Sequence, residues 1–325
     1  VHGYQNLPRK VPEFAPEQLQ GSDADVSPDV IRAALVERGY HEVISYSFID
    51  PALQRLVEPD TAPLALNNPI SSELSVMRTS LLPGLLNTLK YNVHRQQKQL
   101  NLFETGLRFI PGRTGIGQEA VIAGLRYGPR EPEAWNADTR EWADFYDVKG
   151  DVERLLALTG HENFQFKACA HPALHPGQAA EISRDGLPIG HVGTVHPRIV
   201  RELDLNGTAL AFELRLESLI SSKPPSFAPI SRFPGIRRDI AIVLDHAHGW
   251  ERVESCIREA GPEYLTEIRL FDVYAGKGVT PGRKSFAIGL ILQEISRTLT
   301  DDEIESAIGR ILKALHEKLG ATLRE

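Results

Sequence analysis

The chain has 325 residues, 42% of them hydrophobic and 24% charged, an ordinary balance for globular protein and enough length for two or three domains. A formal net charge of −7 excludes a global basic field of the kind that advertises nucleic-acid binding, so any such contact must be local. No apolar run reaches the ~20 residues a membrane helix needs, no signal peptide is visible, and the two cysteines, Cys169 and Cys256, make no metal-type spacing and point to a reducing compartment. The first residue is Val1 rather than Met, which reads as a fragment or a processed chain.

Residues 1–25 are loop-like, with three prolines in "NLPRKVPEFAPEQLQGSDAD". Ser27-Pro28 then reads as an N-cap followed by a first-turn proline, with Val30, Ile31, Ala34 and Leu35 as an apolar stripe and Gly39 as the stop. "HEVISYSFID" is strand-like. A second helix is expected over 80–97, with Leu82, Leu85, Leu86 and Leu89 on one face. "NLFETGLRFI" and "AVIAGLRYG" read as strands. Residues 144–160 read as a helix entering near Tyr146 and ending at Gly160, and several short strands follow between 164 and 217. The segment 219–235, "LISSKPPSFAPISRFPG", holds four prolines and four serines and reads as a linker.

Beyond it, "RDIAIVLD" is a strand, and Trp250 to Ala260 is a helix with Trp250, Val253 and Ile257 on one side. "LTEIRLFDVY" and "SFAIGLILQ" are strands. Thr300 and Glu303 make a capping box for a long helix with the stripe Ile304, Ile308, Ile311, Leu312, Leu315 and Leu319, and "ATLRE" supplies a last strand. The order β-α-β-β-α-β is the ferredoxin-like split motif. The loop in "DVYAGKGVTPGRKSFAIGL" has the glycines, lysine and serine of a phosphate-binding loop, but not the spacing. Gly278 lies four positions before Gly282 where five are needed, Arg283 follows instead of lysine, and the residues after it alternate with strand period. A glycine-rich turn between two strands fits better.

Such a fold covers one sheet face with two helices and leaves the other open. Ile240, Ile242 and Leu244 should face the helices, leaving Asp239, Ala241 and Val243 outside. Ser285, Ala287 and Gly289 fall on the outer face too. Asp272 and Tyr274 are expected outside, with Phe271 and Val273 inside. An open face with small residues, one ring for stacking and one carboxylate for a base edge suits splayed nucleotides. Residues 226–325 carry 14 Lys+Arg against 15 Asp+Glu, and the other 225 carry 22 against 28. Arg232, Arg237, Arg238, Lys277, Arg283, Lys284 and Arg297 gather at strand ends and in the hairpin loop, within reach of phosphates. A solvated loop on a protein-binding plait explains the same residues, because this fold hosts many functions. His171, His175 and His196 sit in loop-like sequence beside prolines, and no acid or cysteine completes a ligand set. They read as loop and interface histidines, with no metal site.

Several stretches resemble one family. "FPGIRRDIAIVLD", "LFDVYAGKGVTPGRKSFAIGLILQ" and "RTLTDDEIESAIGRIL" resemble the ferredoxin-fold anticodon-binding domain of the bacterial phenylalanyl-tRNA synthetase β subunit. "GYQNLP" resembles its stretch leaving the preceding domain. "NNPISSELSVMRTSLLPGLLNTLKYNVHRQQKQLNLFETG" and "HPALHPGQAAEI" resemble its central domain. The resemblance implies an α+β chain: a tail of the preceding domain over 1–25, a class II aminoacyl-tRNA synthetase-like antiparallel sheet domain over 26–220, and a ferredoxin-like βαββαβ anticodon-binding domain over 221–325. It implies an enzyme of two α and two β subunits, in the cytoplasm, that ligates phenylalanine to tRNA(Phe) with ATP and magnesium. In that family the β-subunit core docks α and is catalytically silent, so this chain is expected to hold no cofactor or metal, to lack editing, and to be inactive alone.

Carried over residue by residue, "AFELRLES" stands where the third class II motif needs glycines beside ATP and an arginine on the nucleotide. Glu213 and Arg215 replace the glycines and Ser218 the arginine, and a carboxylate there would repel a triphosphate. "LFETGLRF" lacks the arginine-then-acid pattern of the second motif. The helix at 28–38 resembles the first motif, which packs at subunit interfaces. Asp272, Tyr274 and Ser285 fall at anticodon-contact positions, and Arg238, Lys277, Arg283 and Lys284 are candidate phosphate contacts. The rival readings are a free-standing RNA-binding or scaffold protein built from the same modules, and a nucleotide hydrolase using the glycine-rich loop.

Overall fold

A computed structural model describes residues 25–112, 115–227 and 229–324, so the expected loop at 1–25 lies outside them except for Asp25. Packing divides the chain between Pro225 and Ser226, and each side has its own core. The first unit has strands β1 (His41–Glu42), β2 (Phe48–Ile49), β3 (Val76–Met77), β4 (Leu100–Gly112), β5 (Gly115–Tyr127), β6 (Phe164–Ala168), β7 (Leu174–Arg184), β8 (Leu187–Val195) and β9 (Ala209–Arg215). Its helices are α1 (Pro28–Glu37), α2 (Pro51–Val57), α3 (Leu82–Val93), α4 (Phe145–Ala157), α5 (Pro197–Glu202) and α6 (Glu217–Ile220). Strands β2 and β3 pair with each other. The rest form one sheet in the order β1-β4-β5-β9-β8-β7-β6, antiparallel throughout except for β1 beside β4.

Apolar residues line both faces of this sheet. One face packs Phe103, Ile122, Phe212 and Val192 against Ile31 and Leu35 of α1 and Val148, Val152 and Leu155 of α4. The other packs Leu102, Val121, Leu125 and Ala211 against Leu82, Leu85, Leu86 and Leu89 of α3 and Ile199 of α5. Local chemistry sets the helix ends. Ser27 caps α1 through the Val30 N–H, Gly39 takes the left-handed φ of +82° that turns the chain back, and Asp144 with Asp147 forms a capping box on α4. Asp151, fully buried on α4, accepts from Arg38 at the end of α1, from the Tyr40 hydroxyl at 2.7 Å and from Arg126 at 3.3 Å. That carboxylate ties the two helices together.

Two expectations change here. Val30 is half exposed, because it sits one position ahead of the inward row Ile31, Ala34 and Leu35. The stretch 41–50 is two strand fragments instead of one strand. Its middle leaves the sheet, with the Ser45 hydroxyl donating to Glu104 at 2.7 Å and Ile44 and Tyr46 turned to solvent.

The second unit is β10 (Ile236–Asp245), α7 (Trp250–Ala260), β11 (Leu265–Tyr274), β12 (Arg283–Leu292), α8 (Asp301–Leu319) and β13 (Thr322–Leu323). The strand order is β11-β12-β10-β13, the sheet of a ferredoxin-like fold. Ile240, Ile242, Leu244, Phe286, Ile288 and Leu290 meet Val253 and Ile257 of α7 and Ile311 and Leu315 of α8. Thr300 and Glu303 form the reciprocal capping box on α8, and Arg297 adds two hydrogen bonds to Glu303, at 2.8 and 2.5 Å. The glycine-rich loop holds Gly278 at φ +93° and Gly282 at +82° and leads into strand β12, with no helix N-terminus to receive a phosphate.

Candidate nucleic-acid interface and a filled anion site

Register fixes which side chains share the open face of the second unit. Ala241 pairs with Ala287, Val243 with Ser285 and Asp239 with Gly289, so these face outward opposite the buried Ile240, Ile242 and Leu244. On the edge strand β11, Tyr274 pairs with Ser285 and Asp272 with Ala287, and a bulge falls between Leu270 and Asp272. Two residues of β11 thus oppose one of β12, which re-aims the extra side chain. Phe271 accordingly lies outside with Asp272, not inside. It is 49% exposed, and the outward Arg237 guanidinium stands 5.2 Å from its ring centre. Val273 keeps its inward register opposite Phe286, yet on this outermost strand it is 55% exposed.

Tyr274 and Asp272 are both accessible. The Tyr274 hydroxyl donates to the Lys277 carbonyl at 3.0 Å. The Arg324 guanidinium stands 5.0 Å from the ring centre. Strands β11 and β13 are opposite edges of the sheet, so Tyr274 from one edge and the residue just after β13 from the other meet over the small residues of the middle strands. Ser285 lies between Val243 and Tyr274 in register and is only 3% exposed.

The basic candidates divide by strand alternation. Arg238 pairs with Leu290 and Lys284 with Leu244, so both project to the helix side. Arg238 lies 3.8 Å from Asp301 at the start of α8, and the Lys284 ammonium stands 5.0 Å from the Phe286 ring centre, where partial burial lowers its pKa. Arg283 donates to the Val243 carbonyl at 2.9 Å and the Gly320 carbonyl at 2.8 Å, closing the end of α8. Lys277 is exposed in the loop, and Arg232 is exposed before β10. Arg237 and Arg324 supply cations on the open face itself. The sequence puts Arg237 in the same basic group as Arg238 and gives no sign of Arg324; strand parity separates Arg237 from Arg238 once the register is known.

In the first unit, "AFELRLES" is the end of β9, the next residue and α6. Glu213 is nearly buried. One carboxylate oxygen accepts from the Ser80 hydroxyl at 2.8 Å and the Leu81 N–H at 2.7 Å, directly before α3. The other accepts from Arg108 at 2.8 Å. Arg108 also binds Glu119 across the β4–β5 pair at 2.8 and 2.6 Å, and Arg215 reaches Glu119 at 2.9 Å. A helix N-terminus next to an arginine is a ready anion site, and here the protein's own carboxylate fills it. The Ser218 side chain stays partly exposed, and its carbonyl accepts from Arg184 at 3.0 Å. Arg108 was missed in the sequence because its meaning depends on β9 arriving two strands away.

Beside Glu213 a small hollow of about 140 Å³ is lined by Glu58, Ser80, Arg108, His171, His191 and Phe212, among others. That is room for a few waters, against the ~300 Å³ where ligand pockets begin. Burial raises the Glu58 carboxyl above its ordinary range. Burial, then the neighbouring His191 and Arg108, lower His171 to about 4, and burial lowers His191 as well. The three sequence histidines serve as acceptors for turns: His171 Nδ1 takes the Ala173 N–H at 3.2 Å, His175 Nδ1 the Gly177 N–H at 3.0 Å, and His196 Nδ1 caps α5 through the Arg198 N–H at 3.1 Å. Among the described residues no group of three or more His, Cys, Asp or Glu is arranged to hold a metal, and no helix is long and apolar enough to cross a membrane.

An antiparallel sheet flanked by helices on both faces, followed by a ferredoxin-like plait, defines an α+β chain of the class II aminoacyl-tRNA synthetase type with an anticodon-binding module. The family model of the phenylalanyl tRNA synthetase beta chain CLM domain matches residues 7–216, and that of the ferredoxin-fold anticodon binding domain matches 231–324. The chain belongs to the phenylalanyl-tRNA synthetase beta chain family. The phenylalanine–tRNA ligase beta subunit of Pseudomonas fluorescens is 45% identical over 328 residues, and that of Aliivibrio fischeri 46% over 330. Each alignment covers 100% of this chain and 41% of the relative, so the chain spans less than half the length of these curated proteins. A solved pyrrolysyl tRNA synthetase of Desulfitobacterium hafniense aligns over 58% of this chain and 62% of its own at 12% identity, with a TM-score of 0.45, too distant to add to this.

Proposed function

We propose that the chain works as part of a phenylalanine–tRNA ligase β subunit, in an assembly of two α and two β subunits in the cytoplasm. Its first unit, within 26–220, is a catalytically silent core that docks the α subunit, and its second, within 221–325, grips the anticodon of tRNA(Phe). ATP and magnesium are used by the whole enzyme and held elsewhere. The observation that carries the RNA-binding half is the open sheet face, with the Tyr274 ring and the Asp272 carboxylate exposed above small residues. A ring accepts any base by stacking, and a carboxylate takes hydrogen bonds from a base edge. The proposed phosphate contacts are Arg324, Arg237 and Lys277, while the alternation of the strands argues against Arg238 and Lys284.

The silent half rests on Glu213. With its carboxylate on the α3 N-terminus and on Arg108, an incoming triphosphate meets a buried negative charge. Docking of α is supported by α1, whose outer side carries exposed Val30 and Val36 and whose sequence resembles an interface motif.

Titration of the intact protein with tRNA(Phe) tests the RNA-binding half. Tyr274→Ala should weaken binding by about 1–3 kcal/mol, and unchanged affinity removes the ring from the site. The silent half is tested by ATP–pyrophosphate exchange with phenylalanine, which the chain without α should not support. Measurable exchange contradicts the silent core.

A further inference from the structure

We infer that Phe271, with Arg237 and Asp239, forms a second nucleotide platform on the open face, separate from Tyr274 and shaped for an unpaired RNA base. It rests on the proposed anticodon-binding reading and extends it.

Three independent features build this spot. The bulge between Leu270 and Asp272 turns Phe271 out of the core, so an aromatic ring on an edge strand is 49% exposed instead of packed. Arg237, two strands away, places its guanidinium 5.2 Å from that ring centre, and Asp239 holds the guanidinium by a 2.7 Å hydrogen bond. Gly289 lies beneath. A Cβ there would come within 3.1 Å of Arg237 Nε and 3.2 Å of the Asp239 carboxylate, so glycine lets the pair sit this close to the sheet without adjustment. The result is a shallow surface of ring, planar cation and carboxylate.

That combination has a chemical reading. Bases stack on aromatic rings and on guanidinium planes, and a carboxylate beside them accepts from exocyclic amino groups. A duplex offers no free base faces, so the fit is to single-stranded RNA. Phe271 and Tyr274 are three residues apart on one strand, about 10 Å at the usual rise per residue. One base cannot cover both rings, so each takes its own nucleotide. Arg237 then serves twice, as a stacking plane and as a cation near the phosphate path.

The test uses the intact protein and a tRNA(Phe) transcript, alone and with a single abasic nucleotide at each anticodon-loop position in turn, read by fluorescence anisotropy. Phe271→Leu keeps an apolar side chain but removes the stacking face. It should weaken binding roughly five- to hundred-fold, Phe271→Tyr should restore it, and Arg237→Gln should cause a smaller loss. The Phe271→Leu loss should vanish on one abasic RNA, different from the one that cancels Tyr274→Ala. If Phe271→Leu binds every RNA like the parent while Tyr274→Ala still weakens, the second platform is overturned and the anticodon reading stands. If neither variant weakens binding, the anticodon reading itself fails and takes the inference with it. A Phe271→Leu loss equal on all RNAs, or confined to association with a protein partner, also overturns it.

Discussion

At the scale of single residues, buried charge carries the clearest consequences. Arg78 and Glu104 are both almost fully buried and pair at 2.7 Å, with Arg78 also donating to the Leu107 carbonyl at 2.9 Å and the Ser45 hydroxyl at 3.1 Å. Removing one partner strands the other away from water, so Arg78→Met should cost roughly 3–5 kcal/mol, read from the midpoint of urea unfolding. The hollow beside Glu213 gives a pH dependence. His171 keeps a folded pKa of about 4 against an ordinary 6.5, so between those values the unfolded chain takes up a proton that the folded one refuses. Stability should therefore fall as pH falls from about 6.5 toward 4. His191 adds in the same direction. Glu58, whose carboxyl is raised, works oppositely by favouring the fold once protonated. Denaturant midpoints at pH 7 and pH 5 should differ less in His171→Gln than in the parent.

At the scale of elements, the tie between α1 and α4 is a single carboxylate. Asp151→Ala leaves Arg126, the Tyr40 hydroxyl and part of Arg38 without their acceptor. The expected loss is again several kcal/mol, with hydrogen exchange rising first in α1 and α4. Periodicity and caps made these elements readable in advance. Ser27-Pro28, Gly39 and the Thr300–Glu303 box each mark a boundary through local chemistry, and alternation alone placed Ile240, Ile242 and Leu244 inside. What alternation could not supply was Phe271. A bulge is two residues against one on a partner strand, and only the pairing of β11 with β12 creates it. Lys284 shows the converse. It lies in a basic loop sequence, yet parity with Leu244 sends it to the helix side. Arg108 was hidden for a third reason, since its partner Glu213 is 105 residues away and meets it only through sheet order.

At the scale of the whole molecule, the chain between α6 and β10 links two cores. Phe227 and Ile230 in it are each 92% exposed, which for large apolar side chains means there is little local structure to protect the backbone. Limited proteolysis should cut first within 221–235 and leave two resistant pieces; a first cut inside either sheet would argue against that boundary. The filled anion site has a consequence for stability. Substituting Glu213 alone would leave the Leu81 N–H without its partner and Arg108 with Glu119 as its remaining acid, so the first substitution that empties this site lowers stability before any other anion could occupy it.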